Sequence, residues 1–168
     1  YFPEKQEHVI AFLQEICFYD KMPYAILGGG SNVLISDKMF QGCMIFTERL
    51  NRLLLLPDLP SGEAIVYADC GVSLGNFLRF CLEHALSGIE FSVGIPGSIG
   101  GALVGNAGAQ GKAIGDLVHY VDVLLPDTSI RRVWGDDIRW EYRFSSLSQE
   151  SWIILGCALR LHRRSPRV

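Results

Sequence analysis

A chain of 168 residues, 49% hydrophobic and 20% charged, has the composition of a folded protein and is long enough for one domain or two small lobes sharing a core. Its formal net charge is −3, with no basic block except the short run from Arg160 to Arg167, which argues against nucleic acid as the main partner. No apolar run approaches the roughly 20 residues that span a bilayer, which argues against a membrane protein.

In chain order, Val9, Phe12, Leu13 and Ile16 fall at helical spacing, with Pro3 expected in the first turn. Tyr24–Leu27 reads as a short strand that runs into Gly28-Gly29-Gly30. Val33–Ile35 and Cys43–Phe46 read as further strands, and Arg52–Leu56 as another apolar run closed by Pro57. A second lobe is expected from Glu63, which divides the chain into residues 1–62 and 63–168. Ala64–Ala68 reads as a strand. Ser73 is then placed to cap a helix whose apolar face is Leu74, Phe77, Leu78, Cys81, Leu82 and Ala85. After a glycine-rich stretch from Ser87 to Gly115, strands are expected at Val118–Leu125, Ile130–Trp134 and Trp152–Leu161. The last should present Ile153, Leu155, Cys157, Leu159 and Leu161 on one face. The terminal arginines read as a solvated tail. The pattern is α+β, with more strand than helix and no internal repeat.

Cys17, Cys43, Cys70, Cys81 and Cys157 are dispersed without Cys-x-x-Cys spacing, as buried reduced thiols of a cytoplasmic protein would be. His8, His84, His119 and His162 are also scattered, so no metal is expected. The chain opens on Tyr1 rather than Met, which leaves a targeting segment ahead of it open.

Two glycine-rich segments carry the chemistry. In Gly28-Gly29-Gly30-Ser31-Asn32, three glycines let backbone N–H groups approach an anion, and Ser31 and Asn32 add side-chain donors. No Lys-Ser or Lys-Thr follows, as a P-loop requires. The Rossmann fingerprint fails too, because it opens a helix whereas Val33–Ile35 reads as strand. The second segment, Gly94 to Gly111, interleaves glycine with Ile95, Ile99, Leu103 and Val104. A flexible linker would be polar; this pattern points to ordered backbone packed against a flat, extended ligand.

Ile26 to Leu34, Gly88-Ile89-Glu90, Gly94-Ile95-Pro96-Gly97-Ser98-Ile99-Gly100-Gly101-Ala102 and Asn106-Ala107-Gly108-Ala109 together resemble the UDP-N-acetylenolpyruvoylglucosamine reductase family of peptidoglycan synthesis. The order and spacing match over nearly the whole chain. Gln110 departs from the family, which more often has an aromatic residue or histidine there. The resemblance implies a two-lobed FAD-binding fold of the vanillyl-alcohol oxidase and p-cresol methylhydroxylase type. It implies FAD held non-covalently by Gly28, Gly29, Gly30, Ser31, Asn32, Ile95, Pro96, Gly97, Ser98, Gly100, Gly101, Asn106 and Gly108, with NADPH as reductant. Tyr142-Arg143-Phe144-Ser145 resembles the family's Tyr-Arg-x-Ser motif. By that resemblance Arg143 is the catalytic residue that touches the carboxylate of UDP-N-acetylglucosamine enolpyruvate, and Tyr142 lines the substrate pocket. A cytoplasmic monomer serving cell wall biogenesis, cell shape and cell division is expected.

The family's C-terminal domain carries a proton-donating serine in a Gly-Ser-x-Phe-x-Asn-Pro motif and a glutamate that assists the arginine. Neither motif occurs here, nor does the family's Asn-Thr opening, so the resemblance implies a fragment or truncated product. Two alternatives stay open: a non-catalytic flavin-binding remnant, and another FAD oxidase or dehydrogenase of the same fold. Many of the latter attach FAD through histidine or cysteine, and neither glycine loop contains one.

Overall fold

The structure is a computed structural model that describes residues 1–16 and 22–164; Cys17 and Arg167 lie outside the described residues. The amphipathic N-terminal segment forms α1 (Gln6–Glu15), with Val9 and Leu13 buried. Pro3 precedes this helix instead of sitting in its first turn, and Lys5 occupies the N-cap without a side-chain bond. A two-stranded parallel sheet follows, β1 (Tyr24–Leu27) beside β2 (Cys43–Phe46), with Tyr24 opposite Cys43 and Leu27 opposite Phe46.

The strand expected at Val33–Ile35 is absent, and its residues are exposed. The pairing of β1 with β2 gives the reason. Parallel neighbours cannot be joined by a tight hairpin, so the chain between them must run back along the sheet. Residues 28–42 make that return crossing, and apolar composition alone cannot supply a strand with a hydrogen-bonding partner.

Three strands come next: β3 (Leu53–Leu56), β4 (Ala64–Asp69) and, after α2 (Leu74–Glu83), the short β5 (Leu86–Ser87). The glycine-rich stretch then holds α3 (Ile99–Val104) and the hairpin of β6 (Gly108–Ala109) and β7 (Lys112–Ala113). Gln110 and Gly111 form its turn at φ of +55° and +76°, positive at both central positions as a type I′ turn requires. Beyond it lie β8 (Val118–Leu124), β9 (Ile130–Trp134), the hairpin of β10 (Trp140–Glu141) and β11 (Phe144–Ser145), and the long β12 (Ile153–Arg163).

An antiparallel sheet in the order β3-β4-β12-β8-β9, with β5 also pairing β12, forms the frame. Because β3 pairs with β4, this sheet straddles the boundary expected at 62/63. As expected, Ile153, Leu155, Cys157, Leu159 and Leu161 of β12 are all buried. They serve two clusters: Ile153 and Leu155 pack with Val9 and Leu13 of α1, while Cys157, Leu159 and Leu161 join Phe77, Ile99 and Leu103. One strand thus ties α1 to α2 and α3. The opposite side buries Ile65, Tyr67, Tyr120 and Ala158, with the Arg132 guanidinium 3.6 Å from the Tyr120 ring centroid.

Ser73 caps α2 as expected, its hydroxyl accepting from the Asn76 N–H at 3.1 Å. Leu74, Phe77 and Cys81 face inward. Leu82 is 66% exposed and Ala85 is also exposed, so the apolar face is narrower than the sequence suggests. Of the terminal arginines, Arg160, Arg163 and Arg164 are not a loose tail either. Arg160 and Arg163 belong to β12; Arg163 pairs with Asp58 at 2.7 Å, and Arg164 pairs with Glu90. A strand that continues to residue 163 carries these side chains back onto the fold.

Candidate functional site

The two glycine segments meet. β1 delivers Gly28–Asn32 to the edge of the small sheet, and α3 starts from the Ile95–Ser98 turn opposite. Gly29 and Gly97 approach so closely that a Cβ on Gly29 would lie 3.2 Å from the Gly97 Cα, and a Cβ on Gly97 would lie 2.9 Å from the Ser31 Oγ. A Cβ on Gly28 would run into the Ser98 hydroxyl. Glycine is favoured at Gly29 by backbone-to-backbone contact and at Gly97 by a φ of +113°.

Together they border a cleft of about 680 Å³. Ile26, Leu27 and Thr47 form one wall, and Cys70 and Leu74 lie beside α3. Arg143, Leu147, Trp152, Ile153 and Ile154 also line it. The backbone N–H groups of Gly28 to Asn32, and those of Gly97 and Ser98, have no acceptor among the described residues. A cleft bordered by free backbone donors, with only the small Ser31 and Ser98 hydroxyls between the loops, suits an extended phosphate-bearing ligand. The N–H groups of Ile99 and Gly100 are instead consumed by Val72 O and Cys70 O, both at 2.8 Å. These bonds fasten the second loop to the core.

Of the residues singled out in the sequence, Gly28, Gly29, Gly30, Ser31, Asn32, Ile95, Pro96, Gly97, Ser98, Gly100, Gly101 and Arg143 all line this cleft. Asn106, Gly108 and Tyr142 are not in its lining. The Asn106 side chain is turned onto its own fold, donating to Glu141 O at 2.8 Å and accepting from the Gly115 N–H at 3.1 Å. Gly108 packs where a Cβ would strike Lys112 O and Ala113. Tyr142 projects from the β10–β11 turn, 92% exposed.

Arg143 occupies the same turn at a φ of +58°, a left-handed conformation usually left to Gly or Asn. Its guanidinium makes no hydrogen bond or ion pair with a described residue. A free cation held at the cleft by a conformationally costly turn is equipped to grip an anionic ligand.

Sequence reasoning missed Thr47, Cys70, Leu147, Trp152 and Ile154 in the lining. They come from four separate segments, and no local pattern marks them. Cys70 is the thiol nearest to this chemistry. Burial pushes it up to about 12, which keeps it protonated and a poor nucleophile at neutral pH.

Comparison with known proteins agrees with this geometry. A family model described as "FAD binding domain" matches residues 1–133. The UDP-N-acetylenolpyruvoylglucosamine reductase of Caldanaerobacter subterraneus subsp. tengcongensis is 35% identical over 93% of this chain and 48% of its own length. The crystal structure of UDP-N-acetylenolpyruvylglucosamine reductase from Thermus caldophilus superimposes with a TM-score of 0.76 at 25% identity, covering 98% of this chain and 55% of that one. Cholesterol oxidase from B. sterolicum, at 16% identity, has a TM-score of 0.68 over 96% of this chain and 34% of its own, a likeness of fold alone. The resemblance read from the motifs is therefore borne out, as is the α+β FAD-binding fold of the vanillyl-alcohol oxidase type. The chain spans about half the length of the curated relatives it matches.

Proposed function

Since the chain belongs to the FAD binding domain family, we propose that its two glycine loops hold the pyrophosphate of a non-covalent FAD within a reductase of UDP-N-acetylglucosamine enolpyruvate. The reductant is NADPH, the product UDP-N-acetylmuramate, and the setting cytoplasmic peptidoglycan synthesis by a monomer. One observation carries the reading: free backbone donors of two touching glycine loops share a cleft with the unpaired guanidinium of Arg143.

Gly28, Gly29, Gly30, Ser31 and Asn32 supply donors from one side, and Ile95, Pro96, Gly97 and Ser98 close the other. Gly100 lets α3 pack against Cys70, where a Cβ would lie 3.0 Å from the Cys70 Cβ, and Gly101 lets the helix approach the cofactor. FAD held by these residues would supply hydride-transfer chemistry between NADPH and the enol ether, with a proton completing the reduction at the neighbouring carbon. Arg143 would hold the substrate carboxylate by two parallel hydrogen bonds, staying charged at every working pH. Charge that develops toward that carboxylate then meets a fixed cation, which favours the transition state over the ground state. Tyr142, exposed beside Arg143, would border the substrate. The protonated Cys70 thiol supports non-covalent attachment.

Stopped-flow mixing of the reduced flavoprotein with UDP-N-acetylglucosamine enolpyruvate tests the reading. In a form that also carries the family's C-terminal domain, rapid flavin reoxidation is expected, slowed by about 100-fold or more in Arg143→Ala with FAD still bound. A flavoprotein that stays reduced would instead be a non-catalytic flavin carrier. Acid precipitation should release all of the flavin; flavin retained in the pellet would refute non-covalent binding.

A further inference from the structure

Arg143 has no side-chain partner among the described residues, so the backbone that carries it sets where its guanidinium can reach. That backbone is the β10–β11 hairpin, and both of its strands are fastened to the end of α3. On β11, the Ser145 hydroxyl donates to Val104 O at 2.9 Å, and Ser145 is fully buried. On β10, Glu141, the residue just before the Tyr142-Arg143 turn, accepts from Asn106 Nδ2 at 2.8 Å. Asn106 Oδ1 accepts from the Gly115 N–H at 3.1 Å, which anchors the amide from its other end. Asn106 is 8% exposed and sits at a φ of +43°.

These constraints are specific to asparagine. The site needs one donor and one acceptor on a short side chain, which an amide provides and a carboxylate does not. It also needs a residue tolerant of the left-handed region, where Asn is favoured after Gly. Aspartate would set its negative charge against the Glu141 carbonyl.

From these contacts we infer that Asn106 is a positioning residue. It locks the Arg143 turn to the second glycine loop, so that the anion gripped by Arg143 is held in fixed register with the cofactor cleft. This rests on the reading of Arg143 as the carboxylate-binding cation. It assigns Asn106 a role through Arg143 rather than a contact with FAD.

A double-mutant cycle on the FAD-loaded chain tests it, read by the change in flavin absorption as UDP-N-acetylglucosamine enolpyruvate is added. Asn106→Gly keeps the left-handed backbone and removes only the amide. It should leave the FAD dissociation constant within about twofold and weaken the enolpyruvyl ligand by about tenfold. Added to Arg143→Ala, it should cost little more, because both act through the same guanidinium. Asn106→Asp should fail to restore ligand affinity. Additive losses in the double variant, or FAD binding weakened as strongly as ligand binding, would overturn the inference while leaving Arg143 in its role. If the parent holoprotein gives no ligand-induced flavin change, the anion site itself fails, and the inference with it.

Discussion

The two glycine loops border one cleft from opposite kinds of support. The first, Gly28–Asn32, leaves a two-stranded sheet and continues into a crossing whose Val33, Leu34, Ile35, Met39 and Phe40 are exposed. The second starts a helix whose Ile99 and Leu103 are wholly buried, and whose Ile99 and Gly100 N–H groups bond to Val72 and Cys70. Both are glycine-rich and flanked by aliphatic residues, so local composition does not distinguish them. The difference lies in long-range packing. The second loop is part of the core and places Arg143 through Asn106 and Ser145, whereas the first rests chiefly on its contact with Gly97 and Ser98.

That contrast can be broken most sharply at Ile99. Ile99→Ala empties a fully buried position beneath the second loop and should lower unfolding stability by about 2–5 kcal/mol in a urea titration. A loss under about 1 kcal/mol would mean that this loop is not core-supported.

A smaller effect is expected on the approach to the same loop, at Glu90. Burial alone would raise its carboxyl; hydrogen bonds from its own N–H and that of Gly88, together with Arg164, instead hold it below the ordinary range. A carboxyl depressed in the folded state adds stability above its unfolded value, and that stability is lost as pH falls through the folded value. Glu90→Gln should therefore be less stable than the parent near about pH 6, with the gap closing below about pH 4. A gap that widens on acidification would contradict the assigned direction.

The smallest effect belongs to the first loop's crossing. Leu34 is fully exposed, so Leu34→Ser should change stability by no more than about 0.5 kcal/mol. A larger loss, by the same urea titration, would show that the crossing is packed after all.

The contrast also explains what could be read in the sequence. Periodicity and capping identified α2 from Ser73, and β-branched runs located β4, β8, β9 and β12. Glycine clustering marked both loops, and the family resemblance pointed to Arg143, which the structure places at the cleft. Leu82 and Val33–Ile35 were misjudged because exposure depends on what lies opposite in space, which apolar content does not encode. α3 was hidden by Gly100 and Gly101, poor helix formers held in place by tertiary bonds. Ser98, whose hydroxyl accepts from the Gly101 N–H at 3.4 Å, was the one local signal of its start. The short hairpins, the left-handed turn at Arg143 and the cleft residues Thr47, Cys70 and Trp152 depend on contacts between distant segments.

The central claim is that the two loops grip a pyrophosphate, and it is tested most directly by comparing FAD with riboflavin, which has the same ring system and no phosphate. Flavin fluorescence quenching on titrating the purified chain should show FAD bound at least about 100-fold more tightly, a difference of about 2.7 kcal/mol. Gly29→Val, which forces the loops apart, should erase that preference. Equal affinity for the two flavins, or no binding of either, would contradict the account.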